Sequence, residues 1–280
     1  MGRKGQYVED GNEKETKIQK KLFEELHAIN ERLDQLKNKV ESITGIKSAP
    51  EPRIETFIEG FDEALDGGIP AGHVVLLAGP SGTMKTSLAL YIMQKNRALG
   101  AKGIYITLEE SRESLLKTMA RLGIASEEDF IVDIGKLRTE HEAAEETRDW
   151  IQVLKDYLTR RSEKHKLNLV VVDPLNSLYS LAGLSNPRKD LFHFFSFLRN
   201  LGVTSFLISE AETNNQFFCN HEDFLADGVI TLNYFEKDDS DFGLNIRCLK
   251  MRHSNHSRVN LRLHFNEGRF KVSTMTPKVK

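Results

Sequence analysis

The chain has 280 residues, of which 39 are basic and 41 acidic, and this balance excludes a global electrostatic pull toward nucleic acid or an anionic membrane. The length admits one large core or two modest ones, so domain organisation has to come from the pattern. No apolar run approaches the roughly 18 residues of a membrane span, the opening "MGRKGQYVEDGNEKETK" has no apolar signal segment, and two cysteines are too few for a disulfide framework. The expectation is a soluble, cytoplasmic protein.

In chain order, residues 1–14 are expected to form a disordered tail and residues 15–45 a coiled-coil helix. Apolar residues fall at Leu22, Leu26, Ile29, Leu33, Leu36, Val40 and Ile43, in alternating steps of four and three, which is a heptad seam. The residues between are mostly charged, so the stripe is narrow and suits a partner helix; docking on the following domain takes a wider face. Gly45, Pro50 and Pro52 end the helix and predict a linker over 46–53.

From residue 54 to 280 the pattern is that of an α/β domain. Four apolar runs, "HVVLLAG" (73–79), "GIYITLEE" (103–110), "NLVVVD" (168–173) and "GVTSFLISE" (202–210), alternate with helical segments and predict a buried, mainly parallel sheet. In the first intervening helix Leu88, Tyr91, Ile92 and Leu99 are expected to face inward; in later ones the core faces read as Trp150, Ile151, Leu154, Tyr157 and Leu158, then Leu191, Phe192, Phe195, Leu198 and Leu201. From about Gly228 the runs alternate apolar and polar residues between turn signals, which predicts a C-terminal antiparallel meander.

The chemistry starts at "GPSGTMKTS". Gly79, Pro80, Ser81, Gly82, Thr83, Met84, Lys85 and Thr86 follow the G-x-x-x-x-G-K-[ST] phosphate-loop rule, except that Met84 stands where glycine is expected, and Ser87 extends the candidate nucleotide-binding stretch. The context fits, because a buried strand precedes the loop and a helix follows, so backbone N–H groups at the positive helix end can surround a nucleotide phosphate. Lys85 would reach the β- and γ-phosphates and the Thr86 hydroxyl would bind Mg²⁺. Met84 is expected to hold right-handed φ and ψ as it enters the helix.

Asp173, at the carboxyl end of a buried strand, suits the Mg²⁺ shell. Glu109 and Glu110 end another strand; either is a candidate base, or they stand at a helix start favoured by the dipole. Lys250 and Arg252, two apart in a predicted strand, should share a face and could form a cationic tip. "ETNNQFFCNHEDF" (212–224) offers aromatics for stacking but contains no Lys or Arg, which disfavours a nucleic-acid track.

Together, "TFIEGFDEALDGGIPAGHVVLLAGPSGTMKTSLALY", "ITLEES", "VVVDPLNSL", "FLADGVITL" and "KMRHSNHSR" resemble the KaiC-like branch of the RecA superfamily, its archaeal single-domain members especially, over residues 54–273. The resemblance implies a RecA-like ATPase core using ATP and Mg²⁺, and a homo-oligomeric, often hexameric ring with nucleotide between subunits. Lys85 and Thr86 match the Walker A pair, Asp173 matches Walker B, and Glu109 and Glu110 match the paired catalytic glutamates. Lys250 and Arg252 match a K-x-R whose cations reach a neighbour's γ-phosphate. His253 stands where such loops often have glycine, and His256 could contact phosphate or cap a turn. Only one such domain is present, so clock function does not transfer. The coiled coil lies outside the shared core and could align a ring or hold a protein client. The competing expectations are a nucleotide-gated scaffold with negligible hydrolysis and, with least support, a recombinase-type DNA filament.

Overall fold

The computed structural model describes residues 51–125, 129–136, 149–182, 187–210, 221–238 and 241–274, together with Glu25, Ala28, Arg32, Gln35, Leu36 and Lys39. The chain divides into two compact units, Met1–Glu51 and Pro52–Lys280. In the first, the six described residues between Glu25 and Lys39 are helical and Glu51 is not; the tail, the rest of the heptad seam and most of the linker lie outside the described residues.

The second unit is an α/β fold on a nine-stranded sheet ordered β11-β10-β9-β8-β3-β7-β6-β4-β5. A short hairpin-like pair, β1 (Arg53–Ile54) and β2 (Ile69–Pro70), flanks α1 (Phe61–Ala64) at its entrance. The parallel part comprises β3 (Val74–Gly79), β4 (Gly103–Thr107), β5 (Ile131–Asp133), β6 (Leu169–Asp173), β7 (Thr204–Glu210) and β8 (Gly228–Asp238). Their near-continuous apolar runs follow from burial on both faces. Side chains alternate across the sheet. Val75 and Leu77 join one apolar cluster with α2 (Lys85–Ala98) and α3 (Arg112–Arg121), whereas Val74 and Leu76 join a second with α4 (Trp150–His165), α5 (Leu175–Ala182) and α6 (Pro187–Asn200).

After α7 (Glu222–Leu225) the chain enters β8, then runs antiparallel through β9 (Asp241–Met251), β10 (Leu261–Asn266) and β11 (Arg269–Thr274), as the alternating texture implies. Phe270 of β11 is buried edge-on against Tyr91 of α2 at 5.0 Å, which fastens the meander to the core.

Two core assignments need correction. Leu99 is 75% exposed because it is the C-cap of α2, past the last turn that faces the sheet. On α6 the stripe is Leu191, Phe194, Phe195 and Leu198, at steps of three, one and three, while Phe192 turns partly outward.

The chain leaves β3 for β4 and β5 on one side, fills the gap with β6 and β7, and only then adds β8 on the other side. A crevice therefore opens at the carboxyl ends of β3, β4, β6 and β7, where the strand order reverses and ligands of open α/β sheets bind.

Candidate nucleotide-binding site

Strand β3 delivers Gly79 to this crevice, and α2 begins six residues later at Lys85. A Cβ on Gly79 would stand 2.1 Å from the Leu232 carbonyl oxygen, so only glycine lets β8 pass this close. The loop is tied internally: Thr83 Oγ1 donates to the Pro80 carbonyl at 2.8 Å, and the Tyr234 hydroxyl of β8 donates to the Ser81 carbonyl at 3.3 Å.

Met84 does not take the right-handed conformation expected of it. With φ 64° and ψ 22° it is left-handed, the region where the glycine of the motif is at ease and a Cβ costs roughly 1–2 kcal/mol. The last turn of the loop comes before the helix geometry starts, so the demand for a left-handed backbone persists at Met84.

The loop and first turn of α2 wall a cavity of ≈ 390 Å³ that also includes Thr107, Glu109, Glu110, Asp173 and Glu210. Every residue assigned to phosphate, metal or base from Ser81 to Ser87 and at 109, 110 and 173 thus meets at one place. Lys85 Nζ lies folded onto the loop, donating to the Gly79 and Pro80 carbonyls at 2.8 Å each. Burial draws its pKa below the usual lysine value, while Glu210 and Asp173 pull the other way.

Thr86 Oγ1 donates to Asp173 Oδ2 at 2.8 Å, and the Tyr105 hydroxyl donates to the same oxygen. Burial raises the Asp173 pKa against the opposing effect of these two donors. Burial likewise lifts the Tyr105 hydroxyl well above its ordinary range, with the Asp173 charge adding to the effect. A hydroxyl and a desolvated carboxylate converging on the cavity floor form a donor set that fits a hard divalent cation.

Glu109 and Glu110 lie just beyond β4, which ends at Thr107. Ser177 of α5 donates to Glu109 Oε1, and Ser114 of α3 donates to Glu110 Oε2 at 2.8 Å. Glu110 therefore also serves the start of α3, whose N-cap is Ser111.

Glu210 escaped the sequence reading. It closes the run "GVTSFLISE", and β7 pairs with β3 in the register Gly79↔Glu210, which brings it beside the loop. Its position as the last, acidic residue of a buried strand was the available signal.

Lys250, Arg252 and His256 lie elsewhere. Strand β9 is antiparallel to β8, with Met251 opposite Gly228, and Gly228 is level with Val75 near the start of β3. The cations are thus displaced from their own loop toward the opposite end of the sheet, Lys250 by about 10 Å and Arg252 by about 17 Å along β3 at ~3.3 Å per residue. Strand β9 stops at Met251, so Arg252 falls just past it and not on a shared strand face. Lys250 Nζ donates to the Asp223 carbonyl at 3.0 Å, and Arg252 NH1 donates to Asp227 Oδ1 at 2.8 Å.

Asp227 is the hub of this end. Its Oδ2 also accepts from Val74 N at 3.0 Å and Arg199 Nε at 2.8 Å, and the arginine and backbone donors hold its pKa below the ordinary carboxylate value despite burial. His253 is left-handed at φ 55°, the conformation glycine would favour there. His256 has Nδ1 3.4 Å from the Ser254 carbonyl and a buried Nε2 with no hydrogen bond among the described residues.

A family model described as "ATPase: KaiC" matches residues 54–275. The chain belongs to the KaiC ATPase family. Among its KaiC relatives, the circadian clock protein KaiC3 of Synechocystis is 30% identical over 222 residues, 74% of this chain but 42% of that protein. UPF0273 proteins of Thermotoga maritima and Pyrococcus horikoshii are 28% and 29% identical, over 73% of this chain and 89% and 87% of theirs. The chain therefore spans less than half of the clock protein and most of the UPF0273 proteins. The crystal structure of the KaiC-like protein PH0186 from Pyrococcus horikoshii superposes with a TM-score of 0.68 at 27% identity, over 80% of this chain and all of that one. The fold and the KaiC membership together make this a RecA-like P-loop nucleotide-binding domain. No helix among the described residues is long and apolar enough to cross a membrane.

Proposed function

We propose that this KaiC-family chain hydrolyses ATP in a homo-oligomeric ring and uses its nucleotide state to control a protein partner in the cytoplasm. The observation that carries the reading is the separation of two complementary sets of groups. Lys85, Thr86, Asp173, Glu109 and Glu110 share one cavity, while Lys250 and Arg252 stand at the far end of the sheet.

A cation there can serve only another chain's phosphates, so turnover would require a heterologous contact, the kind that closes into rings. Within the cavity, Lys85 leaves the loop carbonyls to balance γ-phosphate charge, and Glu109 or Glu110 orients and polarises the attacking water. Mg²⁺, held through Thr86 and Asp173, would supply further charge neutralisation on the phosphates. Lys250 and Arg252, with His256 nearby, add positive charge from the next subunit. The heptad helix over 15–45, separated by the linker 46–53 from the ATPase domain 54–280, would align the ring or hold the client.

The second reading is a nucleotide-gated scaffold with negligible hydrolysis, and the left-handed Met84 and His253 favour it, because each is a side chain where glycine would be unstrained. ATP turnover across a protein concentration series, for the unmodified chain beside Glu109→Gln/Glu110→Gln, separates the two. Turnover per chain that rises with concentration and vanishes in the variant supports the ring ATPase. Bound ATP without turnover in either protein leaves the scaffold.

A further inference from the structure

The two hydroxyl groups that meet Asp173 differ in kind. Thr86 stands in the cavity wall on the first turn of α2. Tyr105 lies beneath, with no exposed surface, in the apolar cluster that also holds Ala89 and Ile92 of α2. Strands β4 and β6 pair with Tyr105 opposite Val171, two residues before Asp173, so the tyrosine and the aspartate emerge on the same face of the sheet. Both hydroxyls donate to Oδ2 of Asp173, and among the described residues no hydrogen bond reaches Oδ1.

We propose that Tyr105 is a positioning residue for metal-assisted nucleotide binding: its hydroxyl holds Asp173 by Oδ2 from below and leaves Oδ1 to meet a divalent cation arriving with the nucleotide. The inference rests on the assignment of Thr86 and Asp173 as the metal-holding pair. In that assignment the Thr86 oxygen faces the cation through a lone pair while its proton still points at Oδ2, and Tyr105 is the second donor, from below, that fixes the carboxylate plane. Packing alone does not call for this group, since a phenylalanine ring would occupy nearly the same volume in the cluster. A carboxylate released from Tyr105 could rotate, and each added rotamer weakens its hold on the cation. Outer partners of metal ligands commonly matter at the level of ten- to a hundredfold in metal affinity.

The test is the affinity of the full chain for a fluorescent ATP analogue at a series of free Mg²⁺ concentrations, measured for the unmodified protein, Tyr105→Phe and Asp173→Asn. Tyr105→Phe is expected to keep the Mg²⁺-free affinity and to need about tenfold more Mg²⁺ for the same gain in binding. Asp173→Asn is expected to lose most of the Mg²⁺ dependence. A normal Mg²⁺ requirement in Asp173→Asn overturns the assignment of Asp173, and the role of Tyr105 falls with it. A shifted Asp173→Asn beside an unshifted Tyr105→Phe overturns the role of Tyr105 alone. Loss of Mg²⁺-free binding in Tyr105→Phe also overturns it, because the hydroxyl would then be supporting the loop and not the carboxylate.

Discussion

Met84 holds a left-handed backbone that glycine adopts without strain, and it is half-buried against the α2 side of the core. Replacing it by glycine relieves roughly 1–2 kcal/mol of strain but frees the unfolded chain by about 0.5–1 kcal/mol and removes some apolar packing. Met84→Gly is therefore expected to change unfolding free energy by less than ~1 kcal/mol and to keep nucleotide binding. Denaturant melts with and without ATP check this. A loss above about 2 kcal/mol would mean that the thioether is a packing anchor and not a tolerated intruder.

His73 offers a second residue-scale expectation. Buried beside Asp227 and 5.6 Å from His253, with Nε2 3.1 Å from the Arg252 carbonyl, it has its pKa lowered mainly by burial. Below the ordinary value near 6.5 the unfolded chain binds a proton that the folded chain declines, so stability rises with pH in that window and is lost on acidification toward the lowered folded value. Melting temperature should fall between pH 7 and pH 5, and His73→Gln should flatten that slope. An unchanged slope would assign the acid sensitivity to other groups.

At the scale of the element, β3 carries the phosphate loop at one end and the Asp227 hub at the other. Gly79→Ala puts a Cβ against a backbone carbonyl of β8 that cannot turn aside, so a loss of more than about 3 kcal/mol is expected, together with loss of nucleotide binding. Asp227→Asn keeps an acceptor for Val74 N but removes the charge facing Arg199 and Arg252. The expected cost is about 2 kcal/mol, below that of a fully buried pair because both guanidinium groups reach water. A silent substitution would show that the hub is held by its backbone bonds alone.

The buried strands, the loop and the C-terminal meander were legible in the sequence because each has a local signature: unbroken apolar runs, fixed glycine spacing, and strict alternation. The gathering of Lys85, Thr86, Asp173, Glu109 and Glu110 around one cavity was legible for the same reason, since each ends or follows such a run. Tyr105 and Glu210 were not, because their roles come from register between strands distant in sequence. Asp227 was hidden likewise: its partners Val74, Arg199 and Arg252 are far apart in the chain, from 74 to 252. The left-handed Met84 was misjudged because the motif letter gives the residue and not its φ.

For the whole molecule, the proposed function divides the labour of the two ends of β3 between chains. In that reading the loop at one end and Lys250 and Arg252 at the other are two half-sites, and each heterologous contact would join one of each. The most direct test is complementation by mixing two inactive variants, Lys85→Ala and Lys250→Met/Arg252→Gln, and following ATP turnover. If catalysis is shared between neighbours, neither variant alone turns over, and an equal mixture recovers about a quarter of the unmodified rate, the share of contacts that unite an intact loop with intact cations. Mixed assemblies that stay inactive, or a cation variant that hydrolyses ATP at the full rate by itself, would contradict it.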